Sequence, residues 1–145
     1  MNKEIINFQS GNIATYKRSK ATDDIIYFSH ANGFCGQVYK SLLNQINKDY
    51  EVITYDMRGH GDTNLVADHS KLKSWYTFRD DLAHLIQDHK KPVTLSGHSM
   101  GGTASLLLAL SNPKLVKKLI LIDPVILPLR YICLLYTSDA ADDIP

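Results

Sequence analysis

The chain has 145 residues, an apolar content of 44% and a formal net charge of +1 at neutral pH. That is enough apolar material for one globular domain or part of one. The near-zero charge gives no reason to expect nucleic acid or a membrane surface as partner.

Met1 to Ser10 shows no basic-then-apolar leader. The most apolar region, Leu119 to Leu135, is broken by Asp123, Pro124, Pro128 and Arg130, so it reads as a poor membrane span. Cys35 and Cys133 give no framework of bridges, and a reducing, cytoplasmic setting is expected.

Ile5 to Phe8 and Ile13 to Tyr16 read as two strands around the turn Ser10-Gly11-Asn12, which predicts a hairpin. Lys17, Arg18 and Lys20 read as a solvated basic turn. Ile25 to Phe28 is a third strand, apolar on both faces as in a covered sheet. It runs into the small-residue loop Ser29 to Gly36, after which Val38, Tyr39, Leu42, Leu43 and Ile46 recur at helical spacing. His30 in that loop is expected to hold the loop's shape rather than to act as a base.

Tyr50 to Tyr55 is the fourth strand. It ends in Asp56-Met57-Arg58-Gly59-His60-Gly61, a structural loop in which Asp56 and Arg58 could form a salt bridge. Leu65 to Leu72 reads as a surface loop. Ser74 is a candidate cap for a helix carrying Trp75, Phe78, Leu82, Leu85 and Ile86 on its apolar face. His84 and His89 are expected to face solvent, with no partner at metal-ligand spacing.

Val93 to Leu95 is a fifth, buried strand. It meets Ser96-Gly97-His98-Ser99-Met100-Gly101-Gly102, and the apolar helix from Thr103 to Leu110 follows until Asn112-Pro113 ends it. Ser99 is the centre of Gly-x-Ser-x-Gly. A serine on a sharp strand-to-helix turn is exposed above the sheet, flanking glycines remove clashing side chains, and the helix N-terminus faces the oxygen where negative charge develops. Gly and Ser are common enough for the motif to arise by chance, so the strand, turn and helix order carries the reading. Leu115 to Ile122 is a sixth strand, closed by Asp123-Pro124. Strands alternating with helices after an opening hairpin predict an α/β fold, its central sheet mostly parallel with helices on both faces.

Three motifs in order, His30-Ala31-Asn32-Gly33-Phe34, Asp56 to Gly61 and Gly97 to Gly102, resemble the α/β-hydrolase family. The resemblance covers most of Ile5 to Pro128. It implies Ser99 as nucleophile, with the backbone N–H groups of Met100 and Asn32 as oxyanion donors. Ala31 stands where Gly is usual, and an alignment shifted by two residues would make Phe34 N–H the second donor. The family's order is Ser, then Asp or Glu, then His. No histidine follows His98 in this chain, and His98 is badly placed to bond its neighbour's hydroxyl. Asp123, after the sixth strand, is a candidate acid.

Cys133 to Asp142 resembles, residue for residue, a translated transposase sequencing adaptor. The expectation is therefore an N-terminal part of one α/β-hydrolase domain over residues 1–132, cut after about the sixth strand, and a non-native tail over 133–145. The intact parent is expected to cleave an ester or related small-molecule carbonyl substrate through an acyl-enzyme, with no cofactor and no metal. The 145-residue chain itself is expected to lack esterase turnover and to be poorly soluble. A non-enzymatic ligand-binding member or pseudoenzyme on the same fold is the alternative. Oligomeric state is not legible.

Overall fold

The computed structural model describes residues 1–68, 70 and 74–126. The expected tail 133–145, with Cys133, lies outside the described residues, as does part of the loop from Leu65 to Leu72.

Six strands form one sheet: β1 (Asn2–Phe8), β2 (Gly11–Arg18), β3 (Ile25–Ser29), β4 (Glu51–Tyr55), β5 (Val93–His98) and β6 (Val116–Ile122). Their spatial order is β1-β2-β4-β3-β5-β6. The hairpin β1–β2 is antiparallel, and β2 also runs antiparallel to β4. From β4 through β3 and β5 to β6 every pairing is parallel, as the alternation of strands and helices requires.

That order sets the site. The chain steps from β3 to one neighbour, β4, and later enters β5 on the other side of β3. The carboxyl ends of β3 and β5 therefore flank a switch point, where open α/β sheets leave a crevice. Ser29 pairs with Gly97 across it.

Helix α2 (Tyr76–Ile86) and helix α3 (Met100–Ser111) cover one face. Their Leu82, Ile86, Ala104 and Leu108 pack with Tyr27, Ile53, Val93 and Leu95 from the strands, all buried. Each such leucine contributes about 1.5–3 kcal/mol by leaving water. Trp75 and Phe78 pack against this cluster, as their spacing predicts. The opposite face has a smaller cluster of Phe28, Leu43 and Val52, with Tyr39, Ile46 and Tyr50 at its edge.

The helix expected over Val38 to Ile46 is much shorter. A 3-10 turn at Gly36–Tyr39 leads into a single α turn, α1 (Lys40–Leu43). Val38 and Leu42 are exposed, so two of the five residues of the apolar stripe stay outside the core. Arg18 supplies a physical reason for the stop. Its guanidinium donates to the carbonyls of Leu43, Asn44, Ile46, Asn47 and Tyr50 at 3.0–3.3 Å, which favours an open carbonyl-lined bend over a continued helix. Arg18 is thus a structural anchor, and the reading of a merely solvated basic turn is corrected. Lys17 likewise pairs with Glu51 at 3.1 Å.

Two further expectations change. Arg58 does not pair with Asp56. It forms a forked pair with Asp81 of α2, at 2.9 and 2.7 Å, while Asp56 turns inward and is almost fully buried. His89 is half-buried, not solvated. Its Nε2 lies 2.9 Å from the Tyr27 hydroxyl, and desolvation lowers its pKa. His84 is exposed, with its ring centroid 4.2 Å from that of Phe8. Ser74 accepts the Tyr76 N–H at 3.1 Å, close to its predicted capping role.

Candidate functional site

Ser99 sits between the end of β5 and the first residue of α3 with φ 50° and ψ −119°. A serine holds this left-handed backbone only where its surroundings impose it, at a cost of about 1–3 kcal/mol. Two contacts impose it here. Ser99 N–H donates to the carbonyl of Ile122 in β6 at 3.0 Å, and Ser99 C=O accepts Thr103 N–H at 3.0 Å inside α3. The glycines are a matter of space. A Cβ on Gly97 would overlap the backbone of Gly101, and a Cβ on Gly101 would overlap the Ser29 and His30 carbonyls. The start of α3 is therefore seated directly on the end of β3.

Met100 N–H opens α3 and, like the first donors of any helix, has no intrahelical partner. No other acceptor is within hydrogen-bonding reach among the described residues. Met100 is buried and Ser99 half-buried.

The loop after β3 leaves few donors free. Ala31 N–H donates to the Tyr39 hydroxyl at 3.3 Å, Gly33 N–H to His60 Nε2 at 3.1 Å and Gly36 N–H to Asp56 Oδ1 at 2.8 Å. Phe34 N–H closes a turn onto Ala31 O at 3.2 Å, so the alternative donor named from sequence is already engaged. Asn32 N–H has no intramolecular acceptor among the described residues, and Asn32 is exposed.

His30 is fully buried. Its Nδ1–H donates to Ala31 O at 2.7 Å, and its Nε2 accepts Met57 N–H at 2.9 Å. Burial pushes its pKa down to about 4, against a smaller opposing effect of the Ala31 carbonyl. It is a neutral, fully occupied ring, which suits the loop-holding role and leaves no nitrogen for a hydroxyl. His98 is held through Nδ1, 2.7 Å from the Tyr39 hydroxyl. Tyr39 therefore joins the elbow to the loop, its hydroxyl accepting from Ala31 and sharing a hydrogen bond with His98 Nδ1. Desolvation raises its pKa.

Asp56 joins three segments. Besides Gly36 N–H it accepts the Tyr16 hydroxyl and Asp62 N–H, both at 2.8 Å. A carboxyl group bonded in this way suits its burial. Sequence reasoning missed Tyr16 and Tyr39 as parts of this region, since each acts across a long stretch of chain, and it placed His60 in a structural loop without seeing its contact with Gly33.

Asp123 follows β6, exposed, with φ 45°. Thr103 Oγ1 donates to Val125 O at 2.8 Å, which draws the segment after Asp123 onto α3. No histidine is hydrogen-bonded to Asp123 among the described residues. Within the same limits, no group of three His, Cys, Asp or Glu stands together as a metal site, and no helix is long and apolar enough to cross a membrane.

Comparison with known proteins agrees with this architecture. Residues 20–139 match the family model described as serine aminopeptidase, S33. The chain is 38% identical over 87 residues to an sn-1-specific diacylglycerol lipase of Danio rerio, covering 59% of this chain and 26% of that protein. It is 33% identical over 119 residues to a monoglyceride lipase of Rattus norvegicus, covering 77% and 38%. It thus spans well under half the length of these relatives. Among solved structures, a thioesterase domain from the curacin biosynthetic pathway superposes with a TM-score of 0.76 at 25% identity, over 86% of this chain and 44% of that one. A membrane phospholipase A superposes with a TM-score of 0.78 at 21% identity, over 89% and 42%, and at that identity it shows the fold alone.

Proposed function

Since the chain belongs to the serine aminopeptidase S33 family of α/β-hydrolases, we propose that it carries the nucleophile and oxyanion half of a serine hydrolase acting on a carboxylic ester or related carbonyl compound. Ser99 Oγ attacks the carbonyl carbon, and its proton passes to a general base. The carbonyl oxygen, now negative, accepts Met100 N–H and Asn32 N–H. Collapse expels the alcohol and leaves an acyl-enzyme, which water releases as the acid. The reading uses no cofactor and fits a cytoplasmic protein with a small-molecule substrate. Acylglycerols are the esters to test first, because two relatives are named as glyceride lipases.

One observation supports this best. Two N–H groups without an acceptor among the described residues, of Met100 and Asn32, stand on the two segments that flank the switch point, while those of Ala31, Gly33, Phe34 and Gly36 are engaged.

Among the described residues no histidine is hydrogen-bonded to the Ser99 hydroxyl. His30 has both nitrogens occupied, His98 is tied to Tyr39, and no histidine follows it. Asp123 is the candidate acid. The 145-residue chain therefore acylates slowly and does not turn over. The test is incubation with p-nitrophenyl acetate, then peptide mapping by mass spectrometry. Acetyl on the Ser99 peptide of the folded chain, absent after urea unfolding and in Ser99→Ala, is expected. No adduct at Ser99 refutes the reading, and tight retention of intact ester without an adduct favours the ligand-binding alternative.

A further inference from the structure

The oxyanion reading rests on the direction in which one N–H points. Asn32 N–H belongs to the same peptide unit as the Ala31 carbonyl, and the two point opposite ways. His30 Nδ1–H and Phe34 N–H both donate to that carbonyl, so they aim Asn32 N–H away from themselves. The next peptide unit carries Gly33 N–H. Its orientation fixes the other side of Asn32, at a glycine with φ 74° and open space around it. Left alone, that unit would be free to turn.

We propose that His60 is the positioning residue for this second peptide unit, a neutral ring protonated on Nδ1 that holds Gly33 N–H on Nε2 and so fixes the turn that presents Asn32 N–H. This rests on the oxyanion role proposed for Asn32. The tautomer follows from the partners. His60 Nδ1 lies 3.0 Å from the Arg58 carbonyl, which can only accept, so Nδ1 carries hydrogen. Nε2 lies 3.1 Å from Gly33 N, which can only donate, so Nε2 carries a lone pair. Asn32 Oδ1 is also 3.1 Å from Nε2. With a lone pair there, the Asn32 carboxamide must turn its NH₂ toward the ring. A ring with hydrogen on Nε2 would instead take Asn32 Oδ1 and release Gly33 N–H.

His60 does not act alone. Its ring meets that of His30 edge-on, with centroids 5.0 Å apart. One histidine pins the peptide before Asn32 and the other pins the peptide after it. His60 is itself anchored through Arg58 O, on a residue whose side chain is forked onto Asp81. The loop after β4 thereby sets the loop after β3, although His60 touches no reacting atom.

The test is made on the full 145-residue chain. Imidazole nitrogen shifts identify the His60 tautomer, and amide hydrogen exchange follows Gly33 in wild type, His60→Phe and His60→Gln. The Nδ1–H form is expected. Gly33 exchange should rise about tenfold in His60→Phe and stay near wild type in His60→Gln, whose side-chain carbonyl reaches the place of Nε2. Gly36 and Met57, held by Asp56 and His30, serve as unchanged references. Ser99 acetylation should slow about tenfold in His60→Phe and recover in His60→Gln. A ring with hydrogen on Nε2, or Gly33 exchange indifferent to His60→Phe, overturns the proposal. Absence of Ser99 acetylation in wild type, with the tautomer and exchange as expected, overturns the hydrolase reading and leaves His60 as the holder of the turn.

Discussion

Acid should loosen the site before it titrates most of the carboxylates, and His30 sets the size of the effect. Its pKa is pushed from an ordinary 6.5 to about 4 by burial. The folded state therefore keeps the ring neutral while the unfolded chain binds a proton below about pH 6.5. In that window the unfolded state holds more protons, so stability rises with pH. The contribution is fully present above pH 6.5 and is lost as pH falls toward 4. The fall from 6.5 to about 4, at about 1.36 kcal/mol per pH unit, gives about 3 kcal/mol. Because the ring is fully buried, solvent screening does not reduce this much. Measured against a whole-domain stability of about 5–15 kcal/mol, the loss is large. Urea melts of wild type and His30→Gln at several values between pH 7.5 and pH 4 read it out. Gln lacks the titration, so its stability should fall about 3 kcal/mol less over that range, although it starts lower. Parallel curves for the two proteins, or a His30 ring resonance that titrates near 6.5 in the folded chain, would refute the argument.

Gly101→Ala should destabilise by about 3 kcal/mol or more, because its Cβ lands on the Ser29 and His30 carbonyls and backbone cannot give way as a side chain can; a shift in urea midpoint under a third of that size counts against the seating of α3 on β3. Tyr39→Phe should cost about 1–2 kcal/mol by stripping Ala31 N–H of its acceptor. It should also move the His98 imidazole nitrogen shifts, and unchanged shifts would show that the Tyr39–His98 bond is absent. Asp81→Ala leaves the mostly buried Arg58 unpaired and should cost about 3–5 kcal/mol, while His60 exchange contacts loosen with it; a loss below 1 kcal/mol in thermal or urea unfolding would mean the pair is solvated. Ile120→Lys should raise solubility at little cost in stability, since Ile120 and Ile122 are exposed on an edge strand. Light scattering that does not fall would place aggregation elsewhere.

Much of this fold was readable because it is written in local period and turn chemistry. All six strands stand within a few residues of their expected places, and the elbow follows from Gly97, Ser99 and Gly101 in one short stretch. What was not readable acts across the chain. The helix after the first loop looked sound by spacing, yet Arg18 from β2 collects the carbonyls that would have continued it. Arg58 passed over its near neighbour Asp56 for Asp81, because Asp56 is turned beneath the sheet end by Gly36, Tyr16 and Asp62. His89 looked solvated until Tyr27 was seen beneath it. Pattern gives the face a residue occupies, and it does not say which distant polar group arrives there.

An oxyanion hole sets two demands against each other. A loop near a buried sheet end should have every N–H bonded, since an orphan donor costs about 1–3 kcal/mol. The hole needs a donor left open. In the site proposed here the conflict is met residue by residue. Four of the loop's N–H groups have acceptors within hydrogen-bonding distance, Tyr39, His60, Ala31 and Asp56, and three of those are side chains from outside the turn. Each of these N–H groups needs a partner with a free lone pair, which an imidazole nitrogen, a carboxylate or a hydroxyl offers and a lysine or arginine does not. Asn32 is exposed, so its N–H can be met by solvent, and in the proposed site a substrate oxygen would take that place. The exposure of Asn32 and the burial of Asp56 and His30 then divide one requirement: the open donor costs little because it faces solvent, and the buried groups close the donors beside it.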